Sequence, residues 1–421
     1  MNIRLLAWAL MLTVPVAAQH RPGPSCAPDN AGLTLPAGFC AAIAADSLGP
    51  IRHIVVAANG DVFAALRAQR GDPGGGGVLA LRDTDGDGAL EVQGRFGPGG
   101  GSGIALRDGY LYFATDDAVV RWPWRTGQLA PRGAPDTVAH GLLNRGQHAA
   151  KGLAVSGDDL YVAIGAPSNA CQEQDRAPGS AGKDPCDLLA ISGGIWRFPA
   201  DGKRLTQERG ERYATGLRNA WALAVEPSMG VLFAMQHGRD DLHRIWPARY
   251  TEAVSTELPA EELFRIERGG DYGWPYCYYD PVQRKKLLSP EYGGDGQAVG
   301  RCASAREPEL AFPAHWAPNG LVFYTGSQFP APYRGGGAFI AFHGSWNRTP
   351  VQAGYNVVFA PFRDGRAVGT WEVFARGFAG GEIASSRDAV HRPTGLAVGP
   401  DGSLYVSDDR GGRIYRISYR E

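Results

Sequence analysis

Little in this sequence is lopsided. Lysine and arginine number 42 against 43 aspartate and glutamate, a formal net charge of −1. No one-signed surface therefore points to nucleic acid or to an anionic membrane. Among the six cysteines there is no C-x-x-C pair, which removes the common zinc and thioredoxin-like spacings. Beyond the N-terminus no apolar run is long enough to cross a bilayer. No Gly-x-Gly-x-x-Gly stands between a strand and a helix, so a nicotinamide site of the Rossmann kind is not expected.

What is abundant is glycine, at 59 residues, with 30 prolines and a hydrophobic fraction of 44% in 421 residues. That is too apolar for a disordered chain and too rich in turn formers for long helices. Many short apolar runs between Gly/Pro turns suggest an all-β protein. The first residues read as a secretory signal: Arg4 supplies the charge, Leu5 to Val14 the apolar core, and Val16-Ala17-Ala18 a small-residue cleavage site. Cleavage is expected after Ala18, giving a periplasmic or secreted protein with no membrane span. An even cysteine count in an exported chain suggests disulfides. Of the 15 pairings possible for six cysteines, the simplest joins sequence neighbours: Cys26–Cys40, Cys171–Cys186 and Cys277–Cys302.

A unit recurs along the chain: an apolar strand, a Gly/Asp/Asn turn, then an aromatic-rich strand. Copies begin at Ile54, Gly103, Gly152, Trp221 and Gly395, with a stretched copy from Asn319 to Phe342. A lone hairpin cannot bury its faces, so these units must pack on one another. Six copies at roughly 45–90 residue spacing suggest a six-bladed β-propeller with about four strands per blade. The expected division is residues 1–18 signal peptide, 19–36 N-terminal extension and 37–421 propeller. Long insertions fall at 167–189 and 241–301, and two of the three disulfides would staple them. Asp83-Thr84-Asp85-Gly86-Asp87-Gly88 resembles the start of a calcium loop, but Gly94 stands where the acidic twelfth residue belongs. A tight hairpin turn is the expected reading.

In a propeller the residues just before each first strand converge on the axis. Here they include Arg52-His53, Gly101-Ser102, Gln147-His148, Arg218-Asn219, Asn319, and Arg392 with Thr394. Arginines concentrated at one mouth suit a planar anionic ligand, because guanidinium pairs with carboxylates and stacks on flat rings. A histidine at that mouth can take a proton near neutral pH. His148 is the leading candidate, with His53 its competitor.

Several motifs then appear in order: Gln147-His148 with Gly165 to Asn169; Ala214-Thr215-Gly216-Leu217-Arg218-Asn219; His237-Gly238-Arg239-Asp240; Gly270-Asp271-Tyr272-Gly273-Trp274-Pro275; His343-Gly344-Ser345-Trp346-Asn347-Arg348; and Arg392-Pro393-Thr394-Gly395. With them the chain, from about Leu35 to Tyr419, resembles the soluble quinoprotein sugar and sorbosone dehydrogenases. These are six-bladed propellers that use pyrroloquinoline quinone (PQQ) and calcium. The resemblance implies that His148 is the general base, that Arg218 and Asn219 hold the quinone, and that Arg392 binds a cofactor carboxylate. It implies backbone carbonyls of Gly238 and Arg239 on the cofactor's calcium, and a second, structural calcium near Glu262, Tyr272 and Asp280. Gln147, Asn347 and Thr394 stand where well-studied members carry Asp, Lys and a second Arg; Arg348 is the residue whose charge would replace the Lys.

The expected activity is oxidation of an aldose or sorbosone-like sugar, with electrons passed on to a cytochrome or a quinone. Alcohol oxidation needs a base for the proton and an acceptor for hydride, and no side chain is a hydride acceptor. Two rivals remain open: a calcium-dependent lactonase or esterase on the same fold, and a propeller that only binds a sugar or a partner. Acidic residues look scarce at the predicted mouths, which counts against the lactonase.

Overall fold

Each repeat folds as an antiparallel hairpin in the expected register: Leu153 pairs with Val162 and Ser156 with Asp159, Ala222 with Met235, and Leu396 with Val406. The computed structural model describes residues 26–69 and 75–420. The expected signal peptide, with its cleavage site, lies outside the described residues. Among the described residues there are six blades, each a four-stranded antiparallel sheet, some with a short extra strand at the edge. The innermost strands are Ile51–Val56, Gly101–Arg107, Leu153–Ser156, Ala222–Glu226, Pro318–Phe323 and Pro393–Val398. They pack side by side in chain order, and the sixth returns to the first. The sequence is thus a closed six-bladed β-propeller.

The axis is crowded, and the repeat shows it. A Cβ on Gly152 would come within 1.7 Å of the Trp221 carbonyl oxygen on the next blade, so a larger residue there would push two blades apart. Outward from the axis, successive blades sandwich apolar side chains. Phe233, Leu263 and Phe312 of the fourth blade meet Phe323, Ile340 and Phe342 of the fifth. Because a middle strand is covered on both faces, all five residues of Val62–Leu66 are buried.

The ring is closed by a strand that the repeat pattern does not contain. Phe39–Ala45 pairs antiparallel with Arg413–Tyr419, placing Phe39 opposite Tyr419, so the start of the described chain supplies the outer strand of the last blade. Phe39 packs edge-on against Phe329 and Phe374 at 4.8 and 4.9 Å. The expected extension is docked as well: Thr34 bridges Arg376, and Leu33 is buried in the same cluster.

The insertion at 167–189 lies within the third blade, between Asp159–Ile164 and Gly194–Pro199. The insertion expected at 241–301 conceals a true blade strand, Glu261–Arg265, and carries a separate hairpin, Cys277–Asp280 with Lys285–Leu288. All three disulfides form as expected, Cys26–Cys40, Cys171–Cys186 and Cys277–Cys302. Asp83 caps a hairpin turn, its two carboxylate oxygens accepting the N–H of Gly86 and Gly88. No helix of the described residues is long and apolar enough to cross a membrane.

Candidate active site

The blade mouths surround an axial cavity of about 530 Å³. Its floor is Trp221, first residue of the fourth repeat. The indole is stacked on the His53 ring at 5.0 Å between centroids, and the Arg52 guanidinium lies 5.0 Å from it. His53 is therefore under the floor. Its Nε2 bonds to the Asn319 carbonyl at 2.7 Å, and burial pushes its pKa down to about 4. It is not a competitor within the cavity, because the indole separates it from the lining.

His148 does line the cavity. Its backbone is left-handed, at φ 58°, which an unstrained non-glycine residue seldom adopts. Gly165 opposite makes the room, since a Cβ there would fall 2.5 Å from the His148 Cβ. The ring Nδ1 lies 2.6 Å from the Ala166 carbonyl oxygen. A carbonyl only accepts, so Nδ1 carries the hydrogen and Nε2 keeps its lone pair. Burial, and then the charge of Arg218, push the pKa down to about 3. The imidazole is thus neutral and held in one tautomer.

Arg218 is 2% exposed. Its Nη2 donates to Asp240 Oδ2 at 2.7 Å, its Nη1 to the Gly238 carbonyl at 2.8 Å and its Nε to the Asn169 carbonyl at 3.2 Å. Asp240 also accepts from Arg176 at 2.9 Å and from Asn347 Nδ2 at 3.1 Å. Burial opposes that carboxylate's charge, but Arg218 and Arg176 outweigh it and hold the carboxyl well below the usual range. Asn169 clamps the Asp240 backbone from both sides, accepting its N–H and donating to its carbonyl, each at 2.9 Å. Trp274 Nε1 in turn fixes the Asn169 carbonyl at 2.9 Å. Two of the quoted motifs therefore act as supports behind the wall.

The opposite wall holds charge that the protein does not neutralise fully. Arg392 donates to the His343 and Gly344 carbonyls at 3.0 and 2.7 Å and has no carboxylate partner among the described residues. Arg52 pairs with Asp409 at 2.9 Å, while its Nε and the Trp221 Nε1 are buried without a partner among the described residues. Arg67 stands exposed at the rim. The positive charge of Arg52, Arg67 and Arg392 beside a flat indole floor suits a flat, polar anion.

His148, Arg218, Asn219, Gly238, Asn347 and Arg392 all line this cavity. Other candidates do not. Gln147 turns away, donating to Asp175 at 2.8 Å and accepting from Arg176 at 2.6 Å. Arg348 points outward to the Thr256 and Ala314 carbonyls at 2.7 and 3.0 Å, so it does not bring its charge to the site. Thr394 is buried on its inner strand, its hydroxyl donating to the Arg392 carbonyl at 3.1 Å. The Arg239 side chain is buried against Glu291.

Glu262, Tyr272 and Asp280 form no metal cage. Lys286 Nζ donates to Glu262 Oε1 at 2.9 Å and to the Tyr272 carbonyl at 2.7 Å, and lies 4.8 Å from the Phe264 ring centre. Asp280 is spent on the N–H groups of Val282 and Gln283. An ammonium already holds the carboxylate and the carbonyl, so a divalent cation does not fit between them. The outer Glu262 oxygen accepts from Gln236, whose own oxygen accepts the Arg218 N–H at 2.7 Å. The lysine is therefore linked to the cavity wall.

Acidic residues are not scarce at the mouth, as the sequence reading had it. Asp240, Glu261 and Asp116 all line the cavity. Glu261 accepts the Gly238 and Ala317 N–H groups at 2.8 and 3.0 Å, and burial pushes its pKa up to about 8. Also unforeseen are Trp221, His237 and His343. The last two follow the second strands of consecutive blades, each in a His-Gly pair. That repeated dipeptide was the available signal.

The model of the TrAA12-like family matches residues 33–420. A pyrroloquinoline quinone-dependent pyranose dehydrogenase of Coprinopsis cinerea is 28% identical over 256 residues, 52% of this chain and 33% of that protein. An uncharacterized protein of Borreliella burgdorferi is 28% identical over 221 residues, 52% of this chain and 51% of that protein. The chain thus covers from a third to about half the length of these curated relatives. Among solved structures, a Trichoderma reesei protein of Carbohydrate-Active Enzymes family AA12 superposes with a TM-score of 0.73 at 21% identity, covering 92% of this chain and 98% of that one. The holo PQQ domain of the Coprinopsis cinerea pyranose dehydrogenase gives 0.72 at 18%, covering 94% and 98%. The apo soluble aldose sugar dehydrogenase of Escherichia coli gives 0.58 at 18%, covering 91% and 100%. At such identities the structural likeness is one of fold.

Proposed function

The chain belongs to the TrAA12-like family, and from that premise we propose that it is an exported dehydrogenase that oxidises a sugar with pyrroloquinoline quinone as cofactor. The observation that carries this reading is the cavity itself. A neutral, tautomer-locked His148 faces a wall of arginines above a flat indole floor. When bound, the quinone would supply the hydride acceptor that no side chain provides. Its carboxylates would be held by the positive charge of Arg52 and Arg392, which line the cavity. His148 Nε2 takes the proton from the sugar hydroxyl, and the Nδ1 bond to Ala166 keeps that lone pair in place. Arg218 supplies positive charge from a position that Asp240, Gly238 and Asn169 fix in advance. Asn219, beside Arg218, and Asn347, from the fifth blade, add amide groups to the cavity lining.

The Gly238 carbonyl and the Asp240 carboxylate are hard oxygen donors of the kind calcium prefers. Both already accept from Arg218, so calcium at the cofactor competes with that guanidinium. The leader at 1–18 and the three disulfides support a periplasmic or secreted location. Electrons would leave to a cytochrome or a quinone.

Adding quinone, with and without calcium, to the purified protein and following sugar-dependent dye reduction tests the proposal. Dye reduction that depends on quinone and on sugar supports it. Tight sugar binding with no reduction under any condition would leave the non-enzymatic reading. Among the described residues no three His, Cys, Asp or Glu ligand atoms cluster in the cavity; hydrolysis of an added lactone with calcium and without quinone would favour the lactonase reading instead.

A further inference from the structure

Trp346 lines the mouth of the axial cavity and is 54% exposed. Among the described residues it is the one aromatic side chain left exposed. Its neighbours in the chain are tied down. Buried Ser345 donates its N–H to the Ala353 carbonyl at 2.8 Å and its hydroxyl to Gln352 at 2.7 Å. Its carbonyl accepts from Tyr355 at 2.5 Å. On the other side Asn347 is bonded to Asp240 and Arg348 to two backbone carbonyls. A ring that the protein leaves in water therefore sits on a fixed backbone, a preorganised surface with little freedom to lose on binding.

A second, smaller cleft of about 280 Å³ adjoins the main cavity that Trp346 lines, and the two share Asn347, the next residue in the chain. Its lining includes Asp241, His243, Arg244, Glu252 and Arg348. A flat apolar face next to polar and charged groups is complementary to a pyranose ring, whose C–H face stacks on an aromatic while its hydroxyls exchange hydrogen bonds.

We propose that Trp346 and this cleft form a subsite for a second sugar ring, so that the preferred substrate is the terminal unit of an oligosaccharide rather than a free monosaccharide. This rests on the reading that the axial cavity oxidises a sugar. The main cavity holds the reacting ring near His148, and Asn347 stands at the junction between the two spaces.

Two measurements test it. With quinone-loaded protein, kcat/KM is compared for glucose, cellobiose and maltose. At least one disaccharide should be preferred over glucose through a lower KM. Trp346→Ala should reduce that preference about tenfold, the loss of one good stacking contact, and Trp346→Phe should keep most of it. Calorimetric titration of the same disaccharides into protein without quinone gives the second reading: wild type binds, and Trp346→Ala binds at least several-fold more weakly. Equal kcat/KM for the three sugars, or disaccharide binding unchanged by Trp346→Ala, overturns the subsite. Disaccharide binding that depends on Trp346, together with no oxidation of any sugar by loaded protein, supports the subsite and overturns the oxidation reading instead.

Discussion

In the proposed reaction His148 has a partner at each nitrogen: the Ala166 carbonyl holds one, and the substrate hydroxyl would meet the other. His148→Ala should still bind quinone, because the arginines lie on other blades, while turnover falls by roughly 10²–10⁴, the usual share of a general base. His53→Ala, beneath the indole floor, should cost stability instead; loss of turnover there with His148→Ala active would reverse the assignment. The pH profile is a sharper test. With its pKa pushed down to about 3, His148 stays neutral throughout the ordinary working range. The acid limb of kcat/KM should therefore lie well below pH 6.5; a limb centred near 6.5 would mean a solvated imidazole. Arg392→Ala should weaken quinone binding by roughly 1.5–3 kcal/mol, the worth of a charge-assisted contact, read by titrating reconstitution. Arg218→Ala should also lower stability, because it strips a buried carboxylate of a partner. That His148, Arg218 and Arg392 line the cavity is readable from the sequence, because each precedes an inner strand whose register the repeat makes plain. Asp240, His237 and His343 stand inside quoted motifs, but the repeat does not place them at the axis, because they follow second strands and reach it through turns.

At the scale of elements, the hairpins were legible and the outer strands were not. Hairpin partners are local, and alternation with a Gly/Asp turn announces them. Phe39–Ala45 has its partner at the far end of the chain, and Glu261–Arg265 lies inside what reads as one long insertion. The Cys277–Asp280/Lys285–Leu288 hairpin shows the same limit. Three oxygen-bearing residues suggested a cation, but the cation is Lys286, carried by the hairpin itself. Lys286→Met leaves Glu262 buried and short of its ion pair, which should cost about 3–5 kcal/mol, seen as a lower midpoint in urea. A loss under about 1 kcal/mol would mean that Gln236 alone satisfies the carboxylate. Between blades, Phe233→Ala empties a site that touches Phe323 and Phe362 at 5.4 and 5.3 Å, and about 3–5 kcal/mol should be lost.

For the whole molecule, packing around one axis means burying titratable groups together. His53, His148 and His237 are pushed to about 4, 3 and 4. Their unfolded value is near 6.5, so the unfolded chain binds more protons below it. Their contribution is complete above about pH 6.5 and is lost as pH falls toward 4 and below, at roughly 1.4 kcal/mol per unit for each group. Glu261 runs the other way: its folded value is raised to about 8, so its share is present at low pH and is lost as pH rises through 8. Thermal melting should therefore show a stability maximum near neutrality with a steep acid side, and a flat Tm from pH 7 to 4 would contradict it. The floor of the cavity has one more consequence. Trp221, stacked on His53, separates the cavity from a small void lower on the axis that His53 lines. In the proposed reaction, a small electron acceptor would then reach the site by the same mouth as the sugar, and the two would use it in turn. Steady-state kinetics at several fixed acceptor concentrations should give parallel double-reciprocal lines; converging lines would mean that both occupy the protein at once.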